Sequence, residues 1–313
     1  MAPPESFSQL LDGLIQRRDP RTRDYLMQAS PVPLGIALAA YLVLVGYGPR
    51  FMKNRPTPPL RLTMMLYNIG QVILSGYMMW EFLASRPRHS WACAPVEVTP
   101  DPVSLRLVNA CWLFHVSKLV DFLDTVFLVL KKDNKRMTYL HVYHHGSMAS
   151  GWWICTLYLP GGSCWIPGAL NSFVHCVMYS YYLLASLGPR VRPYLWWKRY
   201  LTQLQLTQFA IILFMALLIQ SPGMRCGMPP YSTAMTMSYL VVLTILFANF
   251  YIRSYVGVVS KSGSGHSAAS ISNGTVASSS GVATSLKKAP VNIFTWTRNV
   301  LLTYGVGCFT DQS

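Results

Sequence analysis

The chain has 313 residues, of which 52% are hydrophobic and 12% are charged, and its mean hydropathy is +0.30. Soluble globular proteins average about 25% charged residues, so this composition excludes an ordinary soluble domain and indicates a membrane protein. The formal net charge of +15 does not predict a nucleic-acid partner. Its basic residues lie in short runs between apolar stretches, as in membrane loops, and not on one face of a folded domain.

Seven apolar stretches are long enough to cross a bilayer, whose core of about 30 Å requires about 20 helical residues. They are approximately residues 32–49, 62–84, 105–130, 137–157, 165–187, 199–220 and 231–252. The sequence therefore predicts an all-α, polytopic membrane protein with seven transmembrane helices in a domain covering 32–256. Residues 1–31 are expected to form an N-terminal segment. Residues 257–313 begin with a long run rich in Ser, Gly, Ala and Val, and we predict a mostly disordered tail.

The basic residues of the loops predict how these spans are oriented. Three alternate loops hold four each: Arg50, Lys53, Arg55 and Arg61; Lys131, Lys132, Lys135 and Arg136; Arg190, Arg192, Lys198 and Arg199. The intervening loops hold Arg86, Arg88 and Arg225. Because cytosolic loops are enriched in Lys and Arg, the first set is predicted to be cytosolic. The N-terminus is then lumenal, and the C-terminus, which follows Arg253, is cytosolic.

The seven cysteines show no zinc-binding spacing. Cys93 and Cys226 fall in two loops that the predicted topology places on the lumenal, oxidising side. A disulfide between them can form there, although spacing alone does not establish the pair. Four others lie in or beside the spans, where Cys commonly behaves as a small hydrophobic residue: Cys111, Cys155, Cys164 and Cys176.

The fourth span contains three histidines in a segment of five residues and has no Lys, Arg, Asp or Glu. Because they are separated by three and four residues, His141, His144 and His145 lie on one side of a helix. Ionisable groups at membrane depth are costly to bury and usually face an interior cavity. A structural role could explain one buried histidine, but three at this spacing predict a functional site.

Three further spans contain polar residues at helical spacing. In the third span Lys118 and Asp121 are one turn apart and can form an ion pair, which could serve packing alone. The polar residues that form one stripe along the fifth span, and another along the sixth, could likewise serve only as contacts between helices. Four stripes on successive spans instead predict one polar chamber that opens toward the cytosol. The residues are Lys118, Asp121, Asp124 and Thr125; Asn171, His175, Met178, Tyr179 and Tyr182; Thr202, Gln205 and Gln208.

Over about residues 30–256 the chain resembles the ELO (ELOVL) family of very-long-chain fatty acid elongases. The resemblance rests on four motifs in order, at residues 118–125, 141–145, 171–182 and 202–208. The histidine motif alone also occurs in membrane desaturases and hydroxylases. One departure is Asp121, which stands where the family usually has Glu; the charge is kept, but the side chain is one methylene shorter.

This resemblance implies a condensing enzyme of fatty acid elongation in the endoplasmic reticulum membrane. Long-chain acyl-CoA and malonyl-CoA would give 3-ketoacyl-CoA, carbon dioxide and CoA, without a cofactor. The ketoreductase, dehydratase and enoyl reductase of the elongation cycle are the expected partners, besides membrane lipid, and a homo-oligomer remains open. The form of the second and fourth motifs is more similar to members that act on polyunsaturated and very long chains than to palmitate-preferring ones.

Roles within the chamber follow from the chemistry of thioesters. A neutral imidazole is a competent nucleophile toward a thioester, so we hypothesise an acyl-imidazole intermediate on His144. His175 would act as base or orient the malonyl group, while His141 and His145 would hold or tune these groups. Asn171, Gln205 or Lys118 could donate to the enolate oxygen. Asp121 and Asp124 complete the catalytic set. The expected substrate-binding residues are Tyr179, Tyr182, Thr202, Gln205, Gln208, Lys135, Arg136, Lys198, Arg199 and Arg253.

Two other classes share part of this pattern. A histidine-box di-iron oxygenase could use these imidazoles with Asp121 and Asp124 as ligands, but it needs more histidines than the five in or near the chamber, counting His115. A seven-helix receptor has the same orientation, yet would place its polar ligand-binding groups toward the outside. The sequence therefore favours a condensing enzyme without a metal site.

Overall fold

A computed structural model describes residues 16–87, 93–96, 98–99, 101–221, 226 and 230–256, all within one compact unit, Met1–Lys261. In this part of the chain the regular secondary structure is helical, as predicted, and no strand occurs. The main helices are α1 (Val32–Met52), α2 (Arg61–Ala84), α3 (Pro102–Val120), α4 (Phe122–Leu130), α5 (Tyr139–Tyr158), α6 (Trp165–Ser186), α7 (Lys198–Gln220) and α8 (Pro230–Tyr251). Shorter helical segments occupy Pro20–Thr22, Gly162–Cys164, Arg192–Tyr194 and Ile252–Val256.

The helices begin and end within about one turn of the predicted stretches, but the third stretch is not continuous. The prediction of a single helix over 105–130 is wrong at Asp121, where α3 ends and α4 begins. The backbone amide of Asp124 donates to the carbonyl of Asp121 over 3.1 Å, a bond across three residues that tightens the helix. The break therefore coincides with the acidic residue that the sequence had singled out.

Among the residues that the structure describes, three helices are long and apolar enough to cross a membrane by length and composition: Val32–Met52, Lys198–Gln220 and Ser232–Tyr255. The remaining helices hold most of the polar motif residues, which lower their hydropathy. Large apolar side chains such as Ile36, Ile73 and Phe214 are exposed on the outer faces of the helices, as expected for contact with lipid. Seven crossings stay a prediction, and the predicted tail, 257–313, lies outside the described residues.

Helix α2 packs closely along α6, and α7 packs along α8. A Cβ atom at Gly168 on α6 would lie 2.4 Å from the ring of Phe82 on α2, so this close approach requires glycine. Phe82 also meets Phe114 of α3, whose ring packs on Trp152 of α5. These contacts hold α2, α3, α5 and α6 around a common interior.

The described segment before α1, residues 16–31, packs against the ends of α3 and α5. The ion pair between Asp19 and Arg21 is buried, at 2.7 Å, and Arg21 also donates to the carbonyl of Pro160 over 3.3 Å. Trp153 Nε1 donates to the carbonyl of Met27 over 2.7 Å. The part of the predicted N-terminal segment that the structure describes is thus a cap on this end of the helices.

A disulfide joins Cys93 to Cys226 at the same end of the molecule, as the predicted topology allowed. Beside it, the backbone amide of Ser163 donates to the carbonyl of Ala94, and the amide of Ala94 donates to Ser163 Oγ, both over 3.0 Å. The three loops predicted to be lumenal are therefore connected to one another.

Candidate active site

A buried ion pair lies where α3 ends and faces α6. Lys118 Nζ donates to Asn171 Oδ1 over 3.0 Å and lies 3.5 Å from Asp121 Oδ2. Its ammonium also lies 4.3 Å from the centroid of the Phe114 ring, a cation–π contact. Lys118 and Asp121 are each 3% exposed, so neither charge has water as an alternative partner. The predicted pairing of these two residues is present.

The two oxygens of the Asp121 carboxylate face different groups. Oδ1 accepts a hydrogen bond from Gln71 Nε2 over 2.6 Å and lies 3.1 Å from the Tyr179 hydroxyl. Oδ2 faces Lys118 and lies 3.9 Å from His175 Nδ1. The Tyr179 hydroxyl is also 2.7 Å from Asp124 Oδ2. The carboxylate thus links α2, α3 and α6 at one point.

The histidines of α5 form a second centre, beside α4. Thr125 Oγ1 and His141 Nε2 are 2.8 Å apart, and Thr125 also donates to the Tyr41 hydroxyl over 3.3 Å. The rings of His141 and His145 are 4.4 Å apart, and those of His144 and His145 are 5.7 Å apart. The three imidazoles are therefore clustered, as the spacing predicted.

His144 differs from His141, whose ring contacts Thr125. The Nδ1 atom of His144 is buried and makes no hydrogen bond within the described part of the chain. Its ring and that of Phe247 on α8 form a T-shaped pair with centroids 5.8 Å apart. His175 and His144 are close enough for electrostatic interaction with each other and with Lys118. The two centres are thus neighbours.

The polar residues of α7 have fewer contacts with the two polar centres than the predicted chamber implied. Gln205 Nε2 lies 3.8 Å from the sulfur of Met178 on the α6 stripe. Thr202 and Gln208 are buried, but among the hydrogen bonds of the described residues none joins them to the histidines or to Asp121. Tyr182 contacts the Tyr179 ring at 5.9 Å and is 40% exposed. These residues lie beside the two polar centres rather than within them.

The basic residues expected to bind substrate lie at the ends of helices. They are exposed to solvent in the structure: Lys135, Arg136, Lys198, Arg199 and Arg253. Arg136 pairs with Asp133 over 2.5 Å, and the Arg199 guanidinium contacts the Tyr200 hydroxyl over 2.8 Å. Exposed guanidinium and ammonium groups at this end can bind phosphate groups.

Metal ligation would require the acidic and histidine side chains to converge. In the described ranges no group of three or more His, Cys, Asp or Glu side chains has an arrangement that could hold a metal ion. The Asp121 and Asp124 carboxylates instead accept hydrogen bonds from Gln71 and Tyr179. The geometry gives no support to a shared ligand set.

Comparison with known proteins decides the family. Residues 26–263 match the model of the GNS1/SUR4 (ELO) family. The chain belongs to the ELO family. It is 39% identical to very long chain fatty acid elongase 5 of Xenopus tropicalis over 247 residues, which is 78% of this chain and 82% of the relative. It is 40% identical to very long chain fatty acid elongase 2 of Mus musculus over 78% of this chain and 83% of that relative. With very long chain fatty acid elongase 4 of Mus musculus it shares 39% identity over 76% of each chain.

Membership of the ELO family confirms the predicted function, because this chain matches elongases along most of its length. The protein is a condensing enzyme of fatty acid elongation, an acyltransferase. The histidine-box oxygenase and the receptor are not favoured by these relationships.

Three residues in the site of this ELO protein were not predicted from the sequence: Gln71, Tyr67 and Tyr41. Tyr67 lies 2.9 Å from Gln71 Nε2 and 3.5 Å from the Tyr179 hydroxyl. A signal was present, since Asn68, Gln71 and Ser75 are separated by three and four residues within an apolar span and are all buried. This fifth polar stripe has the same periodicity as the others.

Proposed function

We propose that this protein is a 3-ketoacyl-CoA synthase of the endoplasmic reticulum membrane that crosses the bilayer seven times. It condenses a long-chain acyl-CoA with malonyl-CoA, releases carbon dioxide and CoA, and uses no cofactor. Relatives that are very long chain fatty acid elongases support a long acyl chain as substrate. The motif forms favour polyunsaturated and very long chains within that class.

The arrangement of the two ends supports the proposed orientation. The disulfide between Cys93 and Cys226 joins two loops with little positive charge, as expected on the lumenal side. The opposite helix ends present the exposed basic residues, among them Lys132, Arg136 and Lys198. CoA is polyanionic and cytosolic, so a chamber open at this end receives the nucleotide at its mouth and the acyl chain within the apolar interior.

In the first half of the reaction, an imidazole nitrogen of His144 attacks the thioester carbonyl of acyl-CoA. A carbon–nitrogen bond forms and the carbon–sulfur bond breaks, and the proton that the imidazole loses goes to the departing CoA thiolate. His144 suits this role because its Nδ1 lacks a hydrogen-bond partner in the described part of the chain, whereas His141 is bonded to Thr125. An imidazole that is not engaged by another protein group is free to react.

In the second half, malonyl-CoA loses its carboxylate as carbon dioxide, and the electron pair of that bond forms an enolate. The enolate carbon attacks the acyl carbonyl, and the imidazole leaves and takes up one proton from solvent. Lys118 and Asn171, which are hydrogen-bonded to each other, are the donors proposed for the enolate oxygen. His175, held beside Asp121, orients the malonyl group or acts as base.

The observation that carries this proposal is the convergence of Lys118, Asp121, Asn171 and His175 at one buried point next to the histidines of α5. The test is to incubate purified protein with labelled malonyl-CoA and a panel of acyl-CoAs. We expect 3-ketoacyl-CoA two carbons longer than the primer, which the ketoreductase, dehydratase and enoyl reductase would then process. The absence of product from every acyl-CoA of about sixteen carbons or more would contradict the proposal.

A further inference from the structure

We infer that Gln71 on α2 is a positioning residue for the Asp121 carboxylate, an inference that rests on the proposed function. Gln71 lies outside the four motifs and is 3% exposed. Its Nε2 donates to Asp121 Oδ1 over 2.6 Å and lies 2.9 Å from the Tyr67 hydroxyl and 3.2 Å from the Tyr179 hydroxyl. Because an amide nitrogen has two hydrogens, this network occupies its whole donor capacity.

The amide fixes which oxygen of Asp121 faces the reacting groups. With Oδ1 held by Gln71 and Tyr179, Oδ2 is directed toward Lys118 and His175, at 3.5 and 3.9 Å. The terminal torsion of an aspartate is soft, so without the amide the carboxylate can turn away from both. Gln71 therefore acts on catalysis through Asp121 and touches no reacting atom.

The length of the acidic side chain explains why a residue of another helix is needed. The side chain of Asp121 carries its carboxylate on a single methylene, so the carboxylate stays close to its own backbone. The longer Gln71 side chain reaches the carboxylate from α2, over a 2.6 Å hydrogen bond. The long amide and the short acid form a matched pair.

Moving one methylene group from the side chain of residue 71 to that of residue 121 tests this pairing. Gln71→Asn shortens the bridge and Asp121→Glu lengthens it, so each single variant disrupts the contact while the double variant restores its length. We expect each single variant to lower kcat about tenfold or more, with KM for both substrates little changed, because small misplacements are costly in catalysis. The double variant should regain most of the loss. Met78→Leu, a volume-conserving change of a buried apolar residue on α2, is the control and should leave kcat unchanged.

Two readouts keep the outcomes separate. An active wild-type enzyme with unchanged kcat in Gln71→Asn would overturn the inference, and so would losses that simply multiply in the double variant. Thermal unfolding midpoints of the same four proteins test the contact without catalysis, and additive shifts would show that the amide and the carboxylate are not paired. A wild-type enzyme that forms no 3-ketoacyl-CoA would instead refute the proposed function. The positioning role of Gln71 in that reaction would then be refuted as well.

A separate observation concerns the thiols of Cys155 and Cys164, which the structure assigns as a second site of disulfide formation. Their sulfur atoms are 3.4 Å apart, where the last turn of α5 meets the turn Gly162–Cys164. Both sulfurs also lie near the carbonyl oxygen of Leu159, at 3.8 and 3.4 Å. A disulfide bond is about 2.0 Å long, so the two sulfurs must approach by about 1.4 Å to form one.

The surroundings of this thiol pair are those of an oxidised segment. Cys164 follows Ser163, which is hydrogen-bonded to Ala94. Ala94 in turn follows Cys93, which forms the disulfide with Cys226. Since disulfides form and persist in oxidising compartments, Cys155 and Cys164 meet the same conditions as the existing bond.

Glutathione disulfide is the class of oxidant that the step requires. The thiolate of one cysteine attacks it, forming a mixed disulfide and releasing one glutathione. The thiolate of the other then attacks the protein sulfur of the mixed disulfide, forming the Cys155–Cys164 bond and releasing a second glutathione. The protein loses two electrons and two protons. The new bond ties the end of α5 to the start of α6, the helix of Asn171 and His175.

The test uses the whole protein in detergent or lipid discs with glutathione disulfide. Free thiols are then alkylated under denaturing conditions, and the digest is analysed by mass spectrometry without reduction. We expect a peptide cross-linked between Cys155 and Cys164 beside the Cys93–Cys226 peptide, with Cys176 alkylated as the control. In Cys155→Ser the new cross-link should be absent. Complete alkylation of Cys155 and Cys164 in wild-type protein that retains the Cys93–Cys226 peptide would overturn the assignment.

Discussion

Thr125 and His141 are joined by a contact of 2.8 Å between Oγ1 and Nε2, which ties α4 to the first histidine of α5. Thr125 is completely buried and also donates to Tyr41 of α1, whose ring stacks on Phe122 at 4.3 Å. One hydroxyl therefore connects α1 and α4 to the histidine cluster of α5. The orientation of His141 depends on a residue at the end of the first sequence motif.

Replacing Thr125 with Val tests that connection. The two side chains are nearly the same size, but Val lacks the hydroxyl, so a buried imidazole nitrogen loses its partner. We expect the free energy of unfolding to fall by about 1–3 kcal/mol and kcat to fall about tenfold or more as His141 loses its orientation. Thermal unfolding and rates of 3-ketoacyl-CoA formation measure the two effects.

Thr156→Val is the matched control for that variant. Thr156 is equally buried, on α5, and donates to the backbone carbonyl of Trp152 over 2.8 Å, at the disulfide-bonded end of the molecule. It should lower stability with kcat retained. Equal effects of the two substitutions on kcat would contradict a specific role for Thr125.

Replacing Lys118 with Met removes the cation of the buried pair and leaves the Asp121 carboxylate without it. Loss of one partner from a buried ion pair costs about 3–5 kcal/mol, because the other charge stays desolvated. We expect a large drop in the thermal midpoint and no detectable condensation. Arg106→Gln is the comparison, since Arg106 pairs with Glu81 in a half-exposed bridge and its loss should change stability far less. Similar midpoints for the two variants would argue against a fully desolvated pair.

Gly162→Ala should destabilise the turn between α5 and α6. Gly162 has φ of +53°, and an added Cβ would lie 2.6 Å from the carbonyl oxygen of Ala94, which is backbone. The loss should exceed about 1 kcal/mol. Gly151→Ala on the exposed side of α5, where nothing lies within 4 Å, should instead raise stability by about 0.5–1 kcal/mol. Unfolding midpoints that move in the same direction would contradict this description of the turn.

Chelation separates condensation from iron-dependent oxidation. We expect purified protein treated with EDTA or an iron chelator to form 3-ketoacyl-CoA at an unchanged rate, since the proposed mechanism uses side chains alone. Elemental analysis of the same sample controls for metal removal. Activity that disappears on chelation and returns with iron would instead support a metal-dependent enzyme.

Much of the site could be predicted because burial in lipid makes polar residues conspicuous. Lys118, His141 and His175 stand out in apolar spans, and helical spacing is enough to predict which of them face one interior. The spacing gives direction around a helix but no distance between helices. It could not show that Gln71 of α2 contacts Asp121.

Local geometry was harder to predict than the arrangement of spans. The break at Asp121 depends on a backbone bond across three residues, and nothing in the apolar run of 105–130 signals it. The cap formed by residues 16–31 depends on buried pairs such as Asp19 with Arg21, whose charges suggested only a polar segment. Tertiary contacts decide both features.

The central claim is that His144 accepts the acyl group, and trapping the acyl-enzyme tests it most directly. Purified protein is incubated with acyl-CoA in the absence of malonyl-CoA, quenched, digested and analysed by mass spectrometry. The account predicts an acyl group on the peptide that contains His144, its disappearance when malonyl-CoA is added, and no adduct in His144→Ala. An acyl adduct that persists in His144→Ala would contradict the claim.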